Sequence, residues 1–136
     1  HVLEHIRSPI EFLENIKPSL EKRRGYLIIE VPNIDDYLIN ICLPYSSFFW
    51  QRAHLIYFSS YTLQDMLTKA GFNVVGIKGV QRYSIENAMN WLTLGQPQIE
   101  DPAYSCRSEL EWLDSFYRRH LEENLISDTL VAVARV

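Results

Sequence analysis

Apolar positions along this chain switch repeatedly between the spacing of a helix and that of a strand. Ile10, Leu13, Ile16 and Leu20, widened by Phe12, recur every three or four residues and predict an amphipathic helix. The next stretch, GYLIIEVPN from Gly25 to Asn33, is apolar from Leu27 to Val31 except at Glu30. So continuous a run predicts a buried strand with helices over both faces, ending in a polar lip. In open sheets of this kind ligands bind outside the carboxyl ends of the strands, so Glu30 to Asn33 are expected on the rim of a crevice. Ile34, Leu38 and Ile41 suit one face of a short helix, and Leu63, Met66, Leu67 and Ala70 the core face of a longer one. Phe72 to Val80 alternates as a strand that Gly76 and Gly79 weaken. Ile85, Ala88, Met89 and Leu92 predict a further helix, and Leu110, Leu113, Tyr117 and Leu121 the last, steadied on its outer face by an Asp114 to Arg118 pair. Thr129 to Val136 closes the pattern as a strand.

Punctuating residues sharpen these bounds. Ser8, Pro9 and Glu11 supply an N-cap, a first-turn proline and a capping-box carboxylate, so the first helix opens at Pro9. Pro18 should kink or loosen it and Gly25 stop it. Ser59 or Ser60 caps the helix that Gly71 ends, and Ser84 caps the one that Gly95 ends, before a loop containing Pro97 and Pro102. The opening HVLEHI reads as the last residues of a strand and their loop.

Composition narrows the partners more than the fold. A chain of 136 residues is one domain or part of one. Its net charge of -4 offers no general attraction to nucleic acid, and its one basic cluster, Lys22 to Arg24, suits a helix end. The longest apolar runs are far too short for a membrane span, so no membrane partner is expected. Cys42 and Cys106 lie far apart without zinc-like spacing, which suits a reducing cytoplasm. The chain opens at His1 in what reads as the middle of an element, and a preceding segment is expected.

In order and spacing, HVLEHI, the Ser-Pro helix, GYLIIEVPN, AHLIYFSSYTL and the helix ending KAGF resemble the second half of a class I S-adenosylmethionine-dependent methyltransferase domain. The resemblance is good over residues 1 to 80 and loose beyond. It implies an α/β fold, the C-terminal half of a Rossmann-like sheet with flanking helices. HVLEH would end the fourth strand, GYLIIEVPN would be the fifth, and the last strand would insert antiparallel between the strands at 26 to 32 and 72 to 80. Residues 1–136 are then a single partial domain with a helical excursion over 81–121. The glycine-rich loop and acidic residue that hold the methionine part and ribose of S-adenosylmethionine in the family are not among these residues. The resemblance therefore implies S-adenosylmethionine as cofactor of the full-length protein, with this portion inactive alone. The backbone around His1 and Val2 is implied to touch that cofactor.

Candidate chemistry gathers around the lip. Residues 34 to 58 are rich in aromatics, which either fill a core around a short helix or form a lid over an acceptor. Within that segment His54 is the candidate base, able to take a proton near neutrality, with a purely structural histidine as the plainer reading. Glu4 and His5 are adjacent in a strand-to-loop turn and so point apart. At most one of them is expected to face the crevice as a catalytic group, and the plainer reading has both holding the loop by hydrogen bonds. His1, Glu4 and His5 form no spacing that specifies a metal, and none is expected. Asn33 on the lip, Tyr57 in the aromatic segment and Tyr83, opening the excursion opposite His54, are candidate substrate contacts. The implied reaction is one in-line displacement at the sulfonium methyl group by a small-molecule acceptor, which needs positioning and a single base. The other reading is a noncatalytic α/β module that pairs with a second copy through the exposed edge of its first strand.

Overall fold

The first helix is stopped by an arginine in the left-handed conformation, one residue before the glycine that the sequence offers for the task. A computed structural model describes residues 1–99 and 104–136, so Pro102 of the predicted loop lies outside the described residues. Helix α1, Pro9–Arg23, carries its proline in the first turn, although the Ser8 side chain makes no capping hydrogen bond and the expected capping box is not formed. It runs through Pro18 without interruption. At its end Arg24 has φ 48°, its N–H reaches the Glu21 carbonyl at 3.1 Å, and the Gly25 N–H reaches that of Leu20 at 3.0 Å. This pair of bonds satisfies the last carbonyls of the helix.

The chain divides into two compact units, one of residues 1–34, 52–78 and 130–136, the other of residues 35–51 and 79–129. The first unit is built on a three-stranded antiparallel sheet of order β1-β3-β2, with β1 Tyr26–Pro32, β2 Asn73–Val80 and β3 Thr129–Arg135. The last strand of the chain thus enters between the other two, as the resemblance implies. Helix α4, Ser60–Lys69, starts on a complete capping box between Ser59 and Thr62 and packs on α1. Gly71 follows it with φ 80°, a conformation that costs a glycine nothing. Leu13, Ile29, Val31, Leu63, Leu67, Leu130, Ala132 and Ala134 are buried here. Alternate residues of β1 behave otherwise: Tyr26 is 60% and Ile28 69% exposed. The expectation that helices cover both faces is therefore corrected. Strand side chains alternate between faces, and only the Ile29 and Val31 side of β1 is buried in this chain.

A second expectation fails at the opening residues. Leu3–His5 form a single 3-10 turn rather than the end of a strand. The His5 and Ile6 N–H groups bond back to the Val2 and Leu3 carbonyls at 3.0 and 3.2 Å, so they close a turn and do not join a ladder.

The second unit contains α2 Tyr37–Ile41, α3 Leu43–Phe49, α5 Ile85–Leu94 and α6 Glu111–Glu123. Ser84 caps α5 through the Asn87 N–H, and Gly95 ends it with φ 67°. Leu38, Tyr45, Phe49, Trp91 and Leu121 are buried, so part of the aromatic segment is core. The Asp114 to Arg118 pair is present at 2.6 Å but not on an outer face. Asp114 is 7% exposed because its carboxylate also accepts from the Ile85 N–H at 2.7 Å, closing an otherwise unpaired donor at the start of α5. Trp112 and Phe116 take the exposed side of α6 instead. Among the described residues no helix is long and apolar enough to cross a membrane.

Asp36 is the N-cap of α2, accepting from the Leu38 N–H at 2.9 Å and from the Tyr45 hydroxyl. Burial, with a smaller contribution from the charge of Asp128, pushes its carboxyl up to about 6. The folded chain therefore holds this proton more tightly than the unfolded chain, whose carboxyl titrates near 3.8. Stability from this group is fully present below pH 4 and is lost as pH rises through 6, a change on the order of 3 kcal/mol. The Asp36→Asn variant keeps a capping oxygen and abolishes that loss. Chemical denaturation across pH should show the variant level with the parent near pH 4 and more stable above pH 6, and a constant difference across this range would refute the account.

Candidate functional site

The turn at Leu3–His5 fastens a distant segment beside the carboxyl end of β1 in the first unit. The Glu4 carbonyl accepts from the Leu55 N–H at 2.8 Å and the Ile56 N–H at 3.2 Å, which draws a segment some fifty residues along the chain against the turn. Two residues further on, Asn33 and Phe58 form a parallel bridge, and the Phe58 carbonyl accepts from the Ile34 N–H at 3.0 Å. The turn, the lip and the segment 52–58 are thereby held together by main-chain bonds, the kind least sensitive to side-chain identity.

Side chains then converge. The Glu4 carboxylate is almost fully buried, at 1% exposure. Its Oε1 lies 3.1 Å from His1 Nδ1, and the other ring nitrogen of His1 lies 2.8 Å from Glu30 Oε1, so His1 bridges the turn to β1. Oε2 of Glu4 is buried with no hydrogen-bond partner. His5 Nδ1 stands 2.8 Å from the Ala53 carbonyl. A carbonyl only accepts, so Nδ1 must carry the hydrogen, and in the neutral ring Nε2 is the free acceptor. That Nε2 lies 3.9 Å from Glu4 Oε1, beyond hydrogen-bond reach. His54 sets its ring edge-on to His5 at 5.0 Å and to Tyr57 at 5.4 Å, and its Nδ1 is buried without a partner.

The expectation that Glu4 and His5 point apart is corrected by this geometry. In an extended segment neighbours diverge by about 180°, but a 3-10 turn separates them by only about 120°, and two long side chains can then meet on one side. Of the other candidates, His1 and Tyr57 join this group, Val2 is 58% exposed, and Asn33 is fully buried beside the Phe58 backbone. Tyr83 belongs to the second unit, where it stacks on Tyr104 at 5.0 Å, and burial raises its hydroxyl above the ordinary range. Glu30 was legible as part of the lip, but its link to His1 was not, because nothing in the spacing joins residues 1 and 30. The Ala53 carbonyl carries no sequence signal at all.

The second unit holds a polar network that the pattern of residue types did not disclose. Arg118 donates to Asp114 and to the Gln81 and Tyr104 carbonyls, each at 2.6 Å, and to the Arg82 carbonyl at 3.0 Å. Asp128 accepts from the Arg82 and Tyr83 N–H groups at 2.9 and 3.2 Å, and burial raises its carboxyl. These residues order the segment that follows β2. Their donors and acceptors are mostly satisfied by one another, a structural use of charge.

An α/β unit with a polar cluster at the carboxyl end of a strand is a common setting for a small-molecule enzyme. The model of the methyltransferase domain matches residues 1–77, more than half of the chain, so the chain belongs to the methyltransferase-domain family. No curated protein matches it. Among solved structures, an S-adenosylmethionine-dependent methyltransferase from Archaeoglobus fulgidus aligns over the whole chain at 16% identity and a TM-score of 0.49. The chain spans 56% of the length of that protein.

The hydrogen placement on His5 can be checked directly. Long-range nitrogen–proton spectra above the titration range are expected to show His5 as the Nδ1–H tautomer, held by the Ala53 carbonyl. A predominant Nε2–H form would mean that this contact does not exist in solution.

Proposed function

We propose that this chain is the C-terminal portion of an S-adenosylmethionine-dependent methyltransferase that acts on a small-molecule acceptor, with the acceptor's nucleophile presented to the Glu4, His5 and His54 group. The match of the methyltransferase-domain model over residues 1–77 carries the reading. The convergence of three polar side chains beside the lip of β1 supports the place of the site. In the family resemblance HVLEH ends a fourth strand, so the earlier strands, with the loop that grips the methionine part and ribose, belong to sequence upstream of His1. His1 and Val2 would meet the cofactor through their backbone. Methyl transfer breaks the carbon–sulfonium bond as the acceptor bond forms, and the protein's share is alignment together with a place for the acceptor's proton. The histidines near Glu4 offer that place. Asn33 and Tyr57 are retained as acceptor contacts, and the cytoplasm as the compartment.

Calorimetry on the isolated chain should show S-adenosylmethionine binding weaker than roughly 1 μM, because its main contacts lie upstream. Tighter binding would overturn that division of the site. In the protein extended upstream, His54→Ala and Glu4→Gln should each lower kcat for a hydroxyl or amine acceptor by about a hundredfold or more. Unchanged turnover in both would remove this group from the reaction.

A second reading rests on the exposure of Tyr26 and Ile28 on β1, which is an edge strand of the described sheet. In that reading the chain is a noncatalytic module that self-associates through this edge. Sedimentation should then show a dimer that Ile28→Lys dissociates. A strictly monomeric, cooperatively melting chain at high concentration would eliminate it.

A further inference from the structure

We propose that the groove between the start of α1, the segment 52–58 and α4 binds a small molecule with an apolar body and a protonated amine. The groove measures about 560 Å3, within the range of small-molecule sites, and its lining belongs wholly to the first unit. Ile10, Ile56, Phe58 and Met66 supply the apolar lining, and Glu11 and Glu14 the charge. Phe58 and Met66 are buried, but Ile10 is 37% exposed although its spacing places it on the apolar stripe of α1. The fold therefore leaves part of that stripe open at the groove. An apolar ligand body would cover it.

Charge decides what else the occupant carries. Glu11 and Glu14 stand three residues apart, hence on one face of α1, and both line the groove. Among the described residues neither carboxylate has a cationic partner. The positive end of the helix accounts for Glu11 in the first turn but not for Glu14 one turn further on. Two like charges beside an apolar surface repel an anion and favour a cation over a neutral molecule of the same shape.

The segment 52–58 connects this groove with the candidate site. Tyr57 stands edge-on to His54 at 5.4 Å, while its neighbours Ile56 and Phe58 line the groove. In the proposed function the occupant is the acceptor. A protonated nitrogen has no lone pair with which to attack a methyl group, so the amine is the handle and the methylated atom is another one, presented to Glu4, His5 and His54. That role rests on the proposed function, whereas binding does not and is measured without turnover. A failed titration would leave methyl transfer standing, and an inactive enzyme would leave the groove.

The probes are phenylbutylamine, phenylbutanol and phenylbutyrate, which share one apolar body and differ in charge. The chain has two methionines, and isotope labelling of their methyl groups gives one reporter in the groove, Met66, and one outside it, Met89, which is 51% exposed. At low ionic strength the amine should shift the Met66 methyl and leave that of Met89 in place, binding about fivefold more tightly than the alcohol, with the acid weaker still. Glu11→Gln combined with Glu14→Gln should bring amine and alcohol level, whereas Glu21→Gln near the other end of α1 leaves the difference intact. Far-UV dichroism establishes that each variant is folded. Should the double variant not fold, added salt should erase the same difference in the unsubstituted chain. Equal shifts of both methionines, equal binding of amine and alcohol by the unsubstituted chain, or a Met66 methyl that responds to none of the probes overturns the proposal.

Discussion

The candidate site depends on one backbone acceptor. The Glu4 carbonyl takes the N–H groups of Leu55 and Ile56, and through them the segment that carries Ala53, His54 and Tyr57 is laid against the opening turn. Together with the His5 to Ala53 hydrogen bond and the Asn33–Phe58 bridge, those two bonds fix His54 relative to Glu4 and His5. The turn geometry is equally necessary, because a 3-10 conformation puts the buried carboxylate and the His5 ring on one side where an extended chain would separate them. Main-chain bonds set the distances, and the side chains then supply the chemistry.

Much of the scaffold was legible because its signals are local. Helical spacing from Leu63 to Ala70, a serine cap, and a glycine at the one position with φ 80° jointly specify α4. The run from Leu27 to Val31 specifies β1, and the closing strand enters the sheet between β1 and β2. Failures arose where the deciding contact is distant in sequence. Asp114 looks like a surface partner of Arg118 by spacing, yet it is buried because α5 needs an acceptor for the Ile85 N–H. Covering helices were expected on both sides of β1, but a continuous apolar run does not by itself tell how many faces a sheet buries, and Ile28 is exposed.

The candidate residues were found more readily than their arrangement. Glu4, His5 and His54 were each singled out for their chemistry, but nothing in the sequence brings residue 54 to residues 4 and 5. His5 was further read as an alternative to Glu4 rather than its companion. Around Arg118 and Asp114 most donors and acceptors meet within the fold, which rigidifies it. Buried polar atoms without partners remain in both units, at Glu4 and His54 in the first and at Tyr117 and Asp128 in the second.

The attachment of His5 has a consequence for how such sites should be recognised in other chains. The Ala53 carbonyl orients one imidazole, and the very next residue supplies the other. Orientation and proximity therefore come from two consecutive residues of one strap. A related chain could keep both histidines and the glutamate, yet a single inserted or deleted residue between that carbonyl and Leu55 would shift His54 out of place while the motif still read as intact. Loop length across this strap, rather than the presence of the three residues, is what distinguishes an assembled group from a scattered one.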